Sequence, residues 1–335
     1  MPIILIPRTP VQLLYSQLMQ EKIIQLAHGS GGRLSRELIK EEILSRFGKG
    51  PLASLPDAAT VACRGGKIIF TTDSFVVQPI EFPGGDIGEL AVYGTVNDLA
   101  VSGGKPKYIS LAMIIEEGFK LDTLRKVLDS AKKAAKTCRV QVVTGDTKVV
   151  PHGMCDGIYM NTAGVAEPIK GFKLGADTIR NGDCVIVSGT VGDHGMAVMA
   201  CRENIGITNG PKSDCGPVSG IVSALAKHAA KIRFMRDPTR GGLSAVLNEV
   251  IEDRKLDIEI IEKDIPSSPQ SRAVAEMLGI DLLYSACEGR VVIFCEQSAS
   301  GKVLECIKKT PEGCGAAIIG CVTGGKGRVV MQTTS

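Results

Sequence analysis

Five aspartates stand where a strand-like run or a glycine turn ends: Asp57 in LPDAAT, Asp73 in FTTDSF, Asp98 in GTVNDLAVSGG, Asp146 in VVTGDTK and Asp237 in RDPTRGG. Carboxylates delivered from several segments can converge on a hard cation, and Mg2+ is typically held by a few carboxylates together with substrate phosphates. Any one of the five also suits an Asx turn or a helix N-cap. Together, in similar settings, they point toward a metal–nucleotide site. Lys148 follows the TGDT turn, where it either reaches a phosphate or stays a solvated surface lysine. Glu288, in SACEGR between two strand-like runs, suits a catalytic base or a turn carboxylate.

Two glycine-rich loops are candidates for phosphate binding. HGSGGR at 28–33 precedes a helical pattern, so amides near Gly31 and Gly32 would meet an anion at a helix N-terminus. It lacks the later glycine of the dinucleotide fingerprint. GCVTGGKG at 320–327 follows the Walker A spacing until Gly327, which stands where Ser or Thr should bind magnesium. A strand-like run follows it instead of a helix, so the match is accidental and a nucleotide would bind without a P-loop. His28, His152 and His194 each neighbour glycine, in separate segments without metal-ligand spacing, which suits caps or loops.

The elements that must carry these residues alternate between strand and helix. Arg33 to Phe47 places Leu34, Leu38, Ile39, Ile43 and Phe47 on one helical face. Lys67 to Val77 reads as a strand. Asp86, with Glu89 three residues on, opens a helix that runs to about Ala100. A strand over Tyr108–Ile115, an amphipathic helix over Asp122–Cys138 and a strand over Val140–Val143 follow. After Pro168 comes a loop-like stretch, and a second unit begins with a strand at Cys184–Ser188. Helices are expected at 215–232, 239–254, 271–279 and 299–309, and strands near 256–262, 290–295, 316–321 and 328–331. The order is not a clean βαβ repeat, so two α/β domains with mixed sheets are expected. Their boundaries fall at 22–168 and 169–335, preceded by an extension over 1–21.

Composition sets the outer limits. The 335 residues, 44% hydrophobic and 22% charged, are ordinary for a two-domain globular chain. Aromatics are 4% with no Trp, so Val, Ile, Leu, Ala and Met must build the core. A net charge of +3, with Lys and Arg spread along the chain, argues against nucleic acid as a ligand. No stretch reaches the length of a membrane span. The eleven cysteines include no C-x-x-C pair; Cys184, Cys295 and Cys321 sit in apolar runs and read as small buried hydrophobes. A reducing cytoplasm is the expected compartment. Residues 1–18, broken by three prolines, do not read as a signal peptide, and Met19 precedes the first well-patterned segment.

IQLAHGSGG (24–32), TTDSFVVQPIEFPGGDIGELAVYGTVNDLAVSGG (71–104), VVTGDTKVV (142–150), VSGTVGDHG (187–195) and RDPTRGG (236–242) resemble the HypE family over most of residues 22–331. This family belongs to the ATP-binding superfamily of aminoimidazole ribonucleotide synthetase, selenophosphate synthetase and thiamine-monophosphate kinase. The resemblance implies N-terminal α/β domains that pair across a homodimer into a β-barrel, with ATP and Mg2+ in a cleft at its edge. It implies a carbamoyl dehydratase of [NiFe]-hydrogenase maturation. HypF places a carbamoyl group on a C-terminal cysteine, ATP activates the thiocarboxamide oxygen, and the resulting thiocyanate passes cyanide to iron on the HypC–HypD complex.

By position, Asp57, Asp73, Asp98, Asp146 and Asp237 would be the Mg2+–ATP carboxylates, with Asn97, Gly31, Gly32 and Thr147 beside the nucleotide. Lys148 would steady the phosphate or the activated amide, and Glu288 would take the amide protons. Two departures stand out. Cys287, Glu288, Gly289 and Arg290 replace the family's Asn-Glu-Gly-Lys, and the sequence ends at GRVVMQTTS, short of the Pro-Arg-Ile-Cys tail. Two further readings stay open: a superfamily enzyme that phosphorylates a free small molecule, and a non-catalytic docking subunit.

Overall fold

The computed structural model describes residues 24–29, 32–47 and 51–333. Gly31 and the 1–21 extension lie outside them. Helix α1 (Gly32–Leu38) opens the longer helical stretch expected over 33–47, but it passes into a wider π-type turn at Ile39–Leu44 before ending at Ser45–Phe47. Its predicted apolar face is not buried: Ile43 and Phe47 are exposed, the latter by 69%.

Strands β1 (Ala59–Cys63) and β2 (Gly66–Phe75) form a tight hairpin whose turn uses Gly65 at φ +99°. A short ribbon, β3 (Glu81–Phe82) and β4 (Gly85–Asp86), leads into helix α2 (Ile87–Val101). Asp86 caps that helix as its sequence position predicts, accepting from the amides of Gly88 at 2.7 Å and Glu89 at 2.9 Å. Then come β5 (Gly104–Glu116), helix α3 (Leu121–Cys138), β6 (Gln141–Val150) and β7 (Ile158–Pro168). The sheet runs β1-β2-β7-β5-β6. Only β5 and β6 pair in parallel, because α3 supplies the crossover a parallel pair needs.

Helix α2 is buried along almost its whole length between this sheet and the rest of the molecule. It lies close on β2: a Cβ at Gly94 would sit 2.7 Å from the Phe75 ring. The opposite face of the sheet is open, with Phe70, Tyr108 and Ile114 exposed, and at the sheet edge Val142 and Val149 are exposed too.

A second mixed sheet contains β8 (Cys184–Val187), β9 (Ile232–Arg236), β10 (Leu256–Ile261), β11 (Val292–Cys295), β12 (Ala317–Gly324) and β13 (Val329–Gln332). Its order is β13-β10-β12-β8-β11-β9. Strand residues alternate between two cores, as a period of two requires. Ile186 and Ile293 face helices α5 (Ser219–Leu225) and α8 (Ser300–Lys308), a core that also takes in Ala100 and Val101 from α2. Val185, Val187, Val292 and Phe294 face α6 (Gly242–Ile251). Helices α4 (Asp193–Arg202) and α7 (Pro269–Leu278) pack on each other at one end. No helix among the described residues is long and apolar enough to cross a membrane.

Several elements depart from the expectations. The strand expected to stop at Val143 continues to Val150, so TGDTK is not a turn but the middle of an edge strand. Gly145 permits this, since a Cβ there would meet the Leu111 carbonyl of β5 at 2.1 Å. The helix expected over 215–232 shortens to α5 and a 3-10 stretch at Ala226–Lys231. Of the Walker-like run at 320–327, residues 320–324 are the end of strand β12, and the turn from there into β13 wraps a carboxylate of its own chain. Asp257 accepts from the amides of Lys326 at 2.7 Å and Arg328 at 2.9 Å, which hold it down to about 2.

Candidate active site

Four of the five aspartates and Glu288 come together where the two sheets meet. Asp73 sits on β2 and accepts from the Ser74 amide at 2.9 Å. Asp98 lies in the last turn of α2. Thr71, two residues before Asp73, places its hydroxyl 2.7 Å from the Asp57 carbonyl and 3.0 Å from Asp98 Oδ2, which pins the segment before β1 against both. From the second sheet, β9 ends at Arg236, whose Nε donates to Asp57 Oδ1 at 2.7 Å and whose Nη1 donates to Glu249 at 2.8 Å. Asp237 follows at once and is 6% exposed. The neighbouring Pro238 carbonyl accepts from the Cys287 amide at 2.9 Å, which brings the Glu288 loop alongside.

These carboxylates act on one another. Burial, then Asp237, Asp57 and Asp73, pushes Asp98 well above the usual carboxylate range. Burial, then Asp57, pushes Asp237 up to about 7, against the opposing pull of its own amide and of Arg236. Glu288 is raised well up by burial, then by Asp237, Asp214 and Asp73. Asp73 and Asp57 are raised by burial, opposed by the Ser74 amide and by Arg236 respectively. Arg236 beside Asp57 and Arg240 acting on Asp73 and Glu288 oppose this rise without cancelling it, so carboxylates outweigh cations in the cluster. Yet no three His, Cys, Asp or Glu side chains among the described residues are spaced to close on a metal ion. A cation held among them would have to draw the rest of its shell from bound phosphates and water, as Mg2+ can.

The remaining predicted residues are placed otherwise. Asp146, Thr147 and Lys148 lie exposed in β6, and among the described residues Lys148 Nζ pairs with Asp146, at 3.3 Å. Three strand spacings, about 14 Å, separate β6 from β2, so within one chain these three do not join the other carboxylates. Asn97 is 1% exposed and its amide is spent on the protein. Nδ2 donates to the carbonyls of Gly216 at 3.0 Å and Glu288 at 3.2 Å, and Oδ1 accepts from the Val218 amide at 2.8 Å. These bonds make Asn97 a tie between α2 and the Glu288 loop. Gly32 begins α1 at φ +74°, a conformation that favours glycine. Of the histidines, His194 is buried in the first turn of α4, 2.9 Å from the Ser213 hydroxyl, and burial lowers it to about 4.

Asp214 escaped the sequence reading. Its carboxylate accepts from the amides of Glu288 and Gly289, both at 3.2 Å. Nothing marks it in PKSDCG, a stretch with neither apolar period nor a flanking strand.

Comparison with known proteins matches residues 56–167 to the family described as AIR synthase related protein, N-terminal domain, and residues 180–332 to its C-terminal domain. Carbamoyl dehydratase HypE of Rhodobacter capsulatus is 41% identical over 319 residues, 94% of each chain. Among solved structures, a HypE–HypF complex superposes with a TM-score of 0.85 at 41% identity, covering 89% of this chain and 96% of the other. HypE in complex with ATP gives 0.78 at 38% identity, over 93% and 95%. With such identity spread over nearly the whole of both chains, and with two mixed sheets enclosing a carboxylate cluster, this chain belongs to the HypE family of carbamoyl dehydratases.

Proposed function

We propose that this chain dehydrates a cysteine-bound carbamoyl group to a thiocyanate at the expense of ATP, supplying cyanide for the iron of a [NiFe]-hydrogenase. One observation carries the reading: Asp57, Asp73, Asp98 and Asp237 from both sheets converge beside Glu288, with more carboxylate than guanidinium charge among them. When bound among them, Mg2+ would neutralise the charge that develops on the transferring phosphoryl group. An amide oxygen becomes a leaving group once phosphorylated. Loss of phosphate and of both N–H protons then leaves the nitrile. Glu288 takes a proton from that nitrogen, and a cation held among the aspartates would offset the part of the rise in its buried carboxyl that comes from Asp237 and Asp73.

Asp146, Thr147 and Lys148 enter the site in this reading from a second copy. The first sheet leaves an apolar face and the whole of β6 open. A sheet face of that kind is stable when covered by another layer, and a homodimeric barrel would cover it while carrying β6 toward the neighbouring aspartates. Residues 22–168 would then bind nucleotide and dimerise, while 169–335 hold Glu288. HypF would be the carbamoyl donor and the HypC–HypD complex the cyanide acceptor, in the cytoplasm.

Intact mass of the full chain after incubation with HypF, carbamoyl phosphate and Mg2+–ATP tests the proposal. A carbamoyl adduct that then loses water is expected, with peptide mapping to name the acceptor thiol. ATP turnover that instead requires a free metabolite, with no adduct, would replace this reading by a small-molecule kinase. Partner binding without any ATP turnover would replace it by a docking subunit.

A further inference from the structure

Glu288 sits on a loop, yet its own peptide groups are held from two sides. Its N–H and that of Gly289 donate to the two oxygens of Asp214, both at 3.2 Å. Its carbonyl accepts from Asn97, which belongs to a helix of the other sheet, at 3.2 Å. The approach is close: a Cβ at Gly289 would lie 1.9 Å from the Asp214 carbonyl oxygen. Asp214 is itself backed by a cation. Arg290 Nε stands 3.5 Å from Asp214 Oδ2, and its Nη2 stands 4.0 Å from Asp193 Oδ2. The guanidinium is locked by the Thr190 carbonyl at 3.0 Å and the Thr190 hydroxyl at 3.3 Å. Asp193 is held in turn by Ser268 at 2.6 Å, Ser271 at 2.5 Å and the Thr190 hydroxyl.

The Asp214 side chain is 1% exposed. Burying a carboxylate is costly unless it is paired and hydrogen-bonded, and here the hydrogen bonds come from the two peptide units around Glu288 and the pairing charge from Arg290. We infer that Asp214, with Arg290 as its counter-ion, is a positioning residue that fixes the Glu288 carboxyl for proton transfer. A loop-borne base needs such support, because a displacement of about 1 Å can cost about 10²-fold in rate. The guanidinium fork also gives Arg290 a distinct use: it spans two carboxylates and a carbonyl that a lysine ammonium would reach less completely.

The inference rests on the proposed role of Glu288, so the test separates the two. ATP turnover by the full chain is measured with an added S-carbamoyl-cysteine peptide, for Asp214→Asn, Glu288→Gln and the double variant. Asp214→Asn is expected to lower kcat by about 10²-fold with KM for ATP unchanged, and to add nothing in the Glu288→Gln background. Full kcat in Asp214→Asn overturns the inference while leaving Glu288 as the base. Losses that multiply in the double variant, or a KM for ATP that rises alongside, assign Asp214 to general structure and overturn it too. An unimpaired Glu288→Gln removes both the base and its positioning residue. Should Asp214→Asn melt early, Arg290→Lys keeps the charge and is expected to show the same pattern at about tenfold; additive losses there overturn the inference equally.

Discussion

Two acidic regions that look alike in sequence end in opposite surroundings. FTTDSF and VVTGDTK both place an aspartate among threonines in a β-rich run. Asp73 becomes part of a crowded group of carboxylates, raised by burial. Asp146 lies in an exposed edge strand and, among the described residues, pairs with Lys148. The difference comes from the partners of each strand. β2 is covered by α2 and lies near Asp237 and Glu288, while β6 is the sheet's edge, paired with β5 among the described residues and exposed along nearly its whole length. An acidic residue at a strand therefore says little about its environment until the layers are known. In the proposed homodimer the exposed set is the one a neighbouring copy would reach, so the contrast separates what one chain brings together from what a second copy would add.

The largest expected effect tests the crowded side. Glu288→Gln should lower kcat by about 10²–10⁴-fold, the range of a lost general base, with ATP binding retained in an equilibrium titration. Loss of nucleotide affinity instead would move Glu288 from chemistry to binding.

A mixing experiment tests the exposed side. Lys148→Ala and Glu288→Gln should each be nearly inactive alone. If β6 serves the neighbouring copy, subunit exchange between them rebuilds one intact site per mixed dimer, and about a quarter of wild-type turnover should return. No recovery would mean that Lys148 acts within its own chain or not at all.

The smallest effect compares the two regions through stability. Groups whose carboxyls are raised in the fold bind more protons folded than unfolded, so their contribution is complete at low pH and is lost as pH rises. For Asp237 that window runs from the ordinary carboxylate value to about 7. Without metal or nucleotide at pH 8, Asp98→Asn should therefore raise stability by about 1–2 kcal/mol, as removing functional strain commonly does, and the gain should shrink when Mg2+–ATP is added. Asp146→Asn should leave the urea midpoint unchanged. Equal shifts for the two variants would show that crowding, as described, does not strain the fold.

The Asp86 cap, the amphipathic helix over α3 and most strands of the second sheet were legible because they rest on local chemistry: a side chain capping its own helix, or an apolar period matched to one element. So were the mixed sheets, and the motifs that mark the HypE family lie in contiguous runs. Other features were not local. TGDTK has a turn's composition, and only the close pairing allowed at Gly145 makes it strand. The face of Arg33–Phe47 has helical period, but the described residues cover it only in part: Leu34, Leu38 and Ile39 are half-buried, and Ile43 and Phe47 are exposed. Asn97 reads as a ligand beside Asp98, yet its amide is used by backbone from residues 216–218 and 288. Asp214 carries no sequence signal, because its function depends on two amides some 75 positions away along the chain.

The sequence by itself determined which residues are able to bind a cation, take a proton or hold a phosphate, since that follows from side-chain chemistry and from motifs within single segments. Tertiary structure alone decided which of them meet. Convergence of Asp57, Asp73, Asp98, Asp237 and Glu288 depends on α2 packing between two sheets, and the separation of Lys148 depends on the order of strands across one of them. Both are contacts between segments far apart in the chain, which no local pattern encodes.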